Sequence, residues 1–568
     1  MDTQRLILFM VFTFSVFFLV DAWQKDAHPP RTVPAASVPT PGPAAAPVPA
    51  PSQPLASAPA VAPAVAPASG GELQKGESIR VQTDMFIAEI DTAGGDLRHL
   101  ELLAHRDTLD KTKNFTLLEL QPERTYIVQS GLIGADLPNH RTRYTASERD
   151  VKLSDGADSV AVRLTAVTAS GIKVVKTYNF HRDSYVIDVS YEVENKSAAA
   201  IQADGYFQIV RDGKPPVGDS AMLPTYTGIA VYTDKEKFQK VPFPDVEKGK
   251  VNYPKKSNDG WIAMLQHYFL SAWLPANNIP REFYTRHLDN GLFAAGMILP
   301  VGSIETGAGA KLTVPLYVGP EDQDKLSALA PGLDRTIDYG WLTIVAEPLF
   351  WFLKWLHQWV HNWGIAIILL TITLKALFYP LSAASYRSMA RMRVLAPRLA
   401  KLKDQYGNDR QRMNQAMMEL YKTEKINPLG GCLPVVVQIP VFIALYWVLL
   451  ASVELRHAYF GLGIEDLSHA ALRSDPTGWF GFAFSSVAYF VLPVLMGATM
   501  IFQTYLNPAP PDPIQAKIMK IMPIAFSLMF FFFPAGLVLY WLVNNILSIA
   551  QQWQITRAVE HAKPAHGK

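Results

Sequence analysis

The sequence predicts a polytopic α-helical membrane protein of six spans, with a large antiparallel β-sandwich after the first span. Three observations predict this fold class. An apolar run at 6–20 opens the chain behind Arg5. Residues 72–335 hold short alternating runs separated by turn signals. From residue 364 onward five apolar segments follow, and the first, GIAIILLTITLKALFYPL at 364–381, carries one charge, Lys375. At 568 residues several domains are expected, and the net charge of +2 averages over a water-soluble middle and an apolar C-terminal half. The single cysteine, Cys432, rules out an intramolecular disulfide.

Each element has its own justification. Residues 1–23 read as an uncleaved signal anchor. No small-x-small site follows the apolar run, and Trp23 suits the membrane interface. Residues 24–71 are rich in Pro and Ala, a composition of extended tethers. Residues 72–335 alternate apolar and polar positions in runs such as Ile79–Ile90, Lys173–Phe180 and Leu312–Val318, broken by turns such as Gly94-Gly95 and Asp212-Gly213. That is the signature of a sandwich. Residues 336–363 place Leu349, Phe352, Leu353 and Leu356 at helical spacing, beside Trp351, Trp355, Trp359 and Trp363. They predict an amphipathic helix lying in the interface. The remaining spans are expected at 364–381, 431–453, 482–506, 518–533 and 534–553. The fifth is only about 24 Å of helix, short of a ~30 Å hydrocarbon core, which favours local thinning.

Charge sets the orientation. Residues 382–430 separate the second and third spans; within them 382–427 hold ten basic residues against four acidic ones. The positive-inside rule makes this segment cytoplasmic. It reads as a helical hairpin, with Met413 and Met417 on one apolar stripe and Arg391, Arg393, Arg398 and Lys401 on the basic surface. The basic residues suit a face near anionic lipid or a site that meets nascent chains. Residues 454–481 then lie outside with the β-domain, in the periplasm. The loop 507–517, the tail 554–568 and both termini lie in the cytoplasm.

Lys375 is the most informative position. A cation near mid-membrane costs about 2.5–3.5 kcal/mol, so it usually faces protein or water. It stands five residues from Pro380, so snorkelling to the headgroups is also open. Thr371 shares its helical face. The last span carries Tyr540, Asn544, Ser548 and Gln551 as a polar stripe, bordered by Asn545 and Gln552. The third span adds Gln438, and the fourth adds Thr499 and Gln503. A polar stripe together with a buried cation favours a hydrated cavity shared by several helices.

Catalytic signatures are missing. There is no GxSxG, glycine-rich phosphate loop or zinc spacing. His357 and His361 stand at i,i+4 without the glutamate of HExxH. Ser382 is about 10 Å from Lys375 along a straight helix, too far for a base–nucleophile pair. No metal, cofactor or enzymatic activity is expected.

Three stretches carry a family resemblance: YKTEKINPLGGCLPVVVQIP at 421–440, FPAGLVLYW at 533–541, and Tyr379-Pro380-Leu381 followed by SMARM at 388–392. They resemble YidC, the bacterial membrane-protein insertase, in its form with a large periplasmic domain. The resemblance covers nearly the whole chain. It implies a five-helix C-terminal insertase core working as an energy-independent insertase and chaperone, alone or with the Sec translocon. It implies a hydrophilic groove open to the cytoplasm and to lipid. The family's groove arginine falls on Lys375, which keeps the charge and loses the guanidinium fork. Thr371 and Tyr540 match functional positions, and Trp541 replaces a tyrosine found in some relatives. Clients would leave along Phe442, Met529 and Trp541 on the third, fifth and last spans.

The expected partners are nascent membrane-protein clients, Sec subunits, the lipid bilayer and, weakly, the ribosome. No nucleic-acid sequence recognition is expected, and the core reads as a monomer. The competing reading is a secondary transporter or channel with a buried Lys, although no inverted repeat is visible.

Overall fold

The computed structural model describes residues 74–108, 110–216, 225–406, 409–424, 433–479, 482–484, 486–507 and 513–561. The expected anchor, the tether, the hairpin tip and the family stretch 425–432 lie outside them.

Alternation in sequence becomes alternation in burial. Ile172–His181 buries every second side chain, as a strand with one face on a core must. Among the described residues, strands from Ser78 to Pro320 form sheets of ten and nine strands. In the first, Ile201–Asp212 lies between Leu292–Ile304 and Arg124–Ile133, with Tyr206 opposite Ile298 and Gly131. In the second, Val186–Asn195 lies between Ile172–His181 and Gly309–Pro320, with Val189 opposite Tyr178 and Val314. All these pairs are antiparallel; Ser78–Gln82 with Asp150–Lys152 is a parallel exception. Phe207 of the first sheet meets Tyr191 and Trp273 of the second, ring centroids 6.1 and 5.0 Å apart. The run expected as Ile79–Ile90 is two strands. Thr83 Oγ1 accepts from the backbone N–H groups of Met85 and Phe86 and turns the chain there.

A polar cluster sits inside the sandwich. Lys176 is fully buried, donates to the carbonyls of Gly94 and Ser130, and lies 5.3 and 5.5 Å from the ring centres of Tyr178 and Tyr191. Asp96 accepts from Gln129 Nε2 at 2.9 Å. Burial pushes the Asp96 carboxyl up to about 6 and the Lys176 ammonium down to about 7.

Eight helices of the C-terminal half carry labels here: α1 (Thr343–Val360), α2 (Trp363–Leu377), α3 (Tyr379–Tyr406), α4 (Arg410–Thr423), α5 (Leu433–Ala451), α6 (Val487–Leu506), α7 (Pro513–Met529) and α8 (Ala535–His561). α1 buries Phe350, Leu353 and Leu356 and leaves Trp351, Trp355 and Trp359 exposed. His361, in the left-handed region at φ 50°, separates it from α2. α2 and α3 meet at a 66° bend after Phe378. Pro380 explains the break, because it has no N–H and its ring clashes with the carbonyl one turn earlier. α3 and α4 form a helical hairpin tied by Arg398 to Glu424 at 2.6 Å. The expected span 482–506 begins later as helix. Phe482–Phe484 pairs with Leu472–Trp479 in a small hairpin, and α6 starts only after the extended Ser486. Gly497 lets α6 approach α7: a Cβ there would lie 2.3 Å from Ser527 Oγ. α8 packs against α6, α2, α3 and α5.

By length and composition, among the described residues, α6 is long and apolar enough to cross a membrane. The bent pair α2–α3 passes that test together, and Val437–Ala451 is a shorter apolar helix.

The sandwich is bonded to the helical half. The Arg456 guanidinium lies 4.9 and 5.3 Å from the ring centres of Phe115 and Phe269 and donates to Thr108 Oγ1 at 3.0 Å. His267 Nε2 reaches the Leu450 carbonyl at the end of α5, at 3.0 Å. Asp466 pairs with His457 Nδ1 at 3.0 Å. Burial raises its carboxyl, but hydrogen bonds from His457 and Ser468 outweigh this and hold it at about 2. Lys354 of α1 pairs with Asp324.

Candidate functional site

Helical periodicity builds the site from separate helices. α2 presents Thr371 and Lys375 one turn apart, and both are buried. Lys375 stands near the C-terminal end of α2, where the helix dipole favours a cation. Thr371 Oγ1 donates to the Ile367 carbonyl of its own helix at 2.7 Å. α8 presents Tyr540, Asn544 and Ser548 at intervals of four, all buried.

The two helices meet at the ammonium. Lys375 Nζ donates to Ser548 Oγ at 2.7 Å. Ser548 Oγ in turn donates to the Asn544 carbonyl at 2.7 Å. From α5, Gln438 Nε2 donates to Asn544 Oδ1 at 2.6 Å and lies 3.5 Å from the Tyr540 hydroxyl. Among the described residues, no carboxylate forms an ion pair with Lys375.

Around these groups is a cavity of about 240 Å³, lined by Lys375, Gln438, Gln503, Asn544, Ser548 and others. A smaller neighbouring space adds Thr371 and Tyr540 to the lining. A space this large, with these polar side chains on part of its wall, has room for several waters. Phe442 and Trp541 form part of the wall, with ring centroids 4.5 Å apart. Trp541 Nε1 is buried and has no partner among the described residues.

The structure brings together Lys375, Thr371, Gln438, Gln503, Tyr540, Asn544, Ser548, Phe442 and Trp541. Met529 stands apart, half-buried at the end of α7. Of the residues bordering the stripe, Asn545 also lines the cavity and donates through Nδ2 to Thr499 Oγ1, while Gln552 Nε2 donates to the Leu506 carbonyl. Gln551 is half-buried, its Oε1 without a partner among the described residues.

Sequence reasoning missed Ser385, Tyr386 and Met389, which line the cavity from α3. Their spacing with Ser382 is i, i+3, i+4, i+7, a helical face that periodicity could have found. Ser382 also lines the cavity beside Lys375. The 66° bend after Phe378 lies between the two residues.

Of the hairpin residues, Arg393 donates to the Tyr505 carbonyl at 3.0 Å, Arg391 and Lys401 are exposed, and Met413 and Met417 are half-buried. Met389 and Tyr386 pack with Ile555 and Val559 at the hairpin's root. Among the described residues, no group of three or more His, Cys, Asp or Glu side chains could hold a metal.

A β-sandwich bonded to a helical bundle, with a cation among polar side chains and a helix long and apolar enough to cross a membrane, fits the class of membrane proteins with an extramembrane β-domain. Residues 78–352 match the family model described as the YidC periplasmic domain, and residues 355–563 match that of the 60Kd inner membrane protein. The membrane protein insertase YidC of Nitrosospira multiformis is 55% identical over 99% of this chain and 98% of its own. That of Nitrosomonas europaea is 53% identical over 98% of this chain and 91% of its own. The chain belongs to the YidC family of inner-membrane protein insertases.

Proposed function

We propose that this protein inserts client proteins into the inner membrane by lowering the cost of moving a polar segment through lipid, with no hydrolytic step. One observation carries the reading. Lys375 is held inside the helical bundle by a neutral hydroxyl, beside a cavity with polar side chains on part of its wall, with no carboxylate pairing it among the described residues. Moving a polar tail into lipid is costly because its backbone and charges lose water. A cavity that brings water and a cation part-way lowers that cost.

In this reading the chain has six spans, with both termini and the α3–α4 hairpin in the cytoplasm. The groove opens to the cytoplasm. Lys375 attracts acidic residues of the client's translocated segment as a point charge. Thr371, Gln438, Gln503, Tyr540, Asn544 and Ser548 supply the polar lining. Phe442, Met529 and Trp541 guide the apolar helix outward. Arg391, Arg393, Arg398, Lys401, Met413 and Met417 receive nascent chains, with the ribosome and Sec subunits as partners for some clients.

The test is insertion of a single-span client with an acidic translocated tail into liposomes holding the purified protein. Lys375→Ala is expected to lower insertion about tenfold, the scale of one lost charge contact in a buried site, and Lys375→Arg to restore it. Equal insertion by all three would overturn the role of the cation. No insertion by the unmodified protein, with solute uptake in its place, would overturn the insertase reading.

A further inference from the structure

The geometry points to Ser548 as the residue that sets the groove's preference for acidic clients, by docking the Lys375 ammonium without neutralising it. This rests on the proposed role of Lys375 and names the feature of the site that keeps the cation available.

Ser548 is buried, and its single hydroxyl meets Lys375, the Asn544 carbonyl and the side chain of Tyr386. Its proton goes to the Asn544 carbonyl at 2.7 Å, so toward Lys375 the oxygen acts as acceptor. An ammonium has three donors. The contact with Ser548 takes one, and no other partner of Nζ is present among the described residues. The other two remain for a guest in the cavity that both residues line.

A hydroxyl steadies the cation and leaves its charge intact. A carboxylate at the same place would form a buried ion pair and cancel the field that an acidic client meets. Gln438 is turned to Asn544, donating through Nε2 to Asn544 Oδ1, and makes no bond to Lys375 among the described residues. The guest is therefore a carboxylate of the translocated segment, which accepts from the donors that Ser548 leaves open.

The experiment compares Ser548→Asp with Ser548→Asn in the full chain in liposomes. Asp and Asn differ little in size, so their difference isolates charge. Two clients are used that differ only in tail, one acidic and one with the acids changed to Asn and Gln. S548N is expected to lower both clients in parallel and to leave their ratio near that of the unmodified protein. S548D is expected to lower the acidic-to-neutral ratio about tenfold, the factor carried by one close charge pair in a desolvated site. Ser548→Thr, which keeps the hydroxyl, is expected to preserve the ratio. Equal ratios for S548D and S548N would overturn the assignment while leaving the insertase reading intact. Failure of the unmodified protein with both clients would instead overturn the insertase reading. A merely structural role for Ser548 would move both clients together in every variant.

Discussion

Replacing Arg456 by Ala tests how firmly the sandwich is bonded to the membrane helices. The guanidinium loses two ring faces, at 4.9 and 5.3 Å, and its bond to Thr108. A desolvated cation–π contact contributes about 2 kcal/mol, and a hydrogen bond from a charged donor about 1.5–3 kcal/mol. Against these stands the burial of the guanidinium, whose Nη1 has no partner among the described residues. The net loss on truncation is about 2–3 kcal/mol, a roughly 30- to 150-fold rise in the undocked population. Arg456→Lys keeps the charge and loses the flat stacking surface, so it recovers only part of this. Hydrogen exchange read by mass spectrometry on residues 101–116 and 454–471 measures the opening directly. Faster exchange confined to those segments is expected for Arg456→Ala. Unchanged exchange there would show that the ring contacts contribute nothing to docking.

Two further predictions concern charge in the extramembrane part. Asp466 is held at about 2, below its usual 3.8, so its ionised form stabilises the fold above pH 4. That stabilisation fades as pH falls from 4 to 2 and amounts to about 2 kcal/mol, and Asp466→Asn should remove it at neutral pH as well. Urea melts of the full chain in detergent at pH 7 and pH 3 check this, and a difference between unmodified protein and variant that stays constant across that range would contradict it. In the sandwich core, Lys176→Met alone should cost about 3 kcal/mol, because it leaves the buried Asp96 carboxylate less compensated. Adding Asp96→Asn should restore part of the loss, and a double-mutant cycle with no coupling would show that the two groups do not sense each other.

The sandwich was legible because its strands alternate, and burial along Ile172–His181 follows that alternation. Strand order was not legible, since pairs such as Tyr206 with Ile298 are fixed by contacts far apart in sequence. Within the site, Lys375, Thr371 and the stripe Tyr540, Asn544 and Ser548 were visible because one helical period links them. Ser385, Tyr386 and Met389 were not, because the 66° bend after Phe378 carries a second helix back to the cavity. The partners of Asn545 and Gln552 on α6 depend on which neighbour each amide meets, and periodicity says nothing about neighbours. The Leu472–Phe484 hairpin was hidden because its second strand reads as the start of an apolar span. The role of Arg456 was not legible, since a charge in a loop does not announce the rings it will lie on.

α5 is held at both ends by different parts of the molecule. The Leu450 carbonyl near its end meets His267 of the sandwich, and Gln438, near its beginning, donates to Asn544 of α8. Its 19 residues make a rod about 28 Å long, and a helix resists compression along its axis far better than a loop does. The contact with the sandwich and the contact with the polar lining therefore stand twelve residues apart on one helix, about 18 Å along its axis.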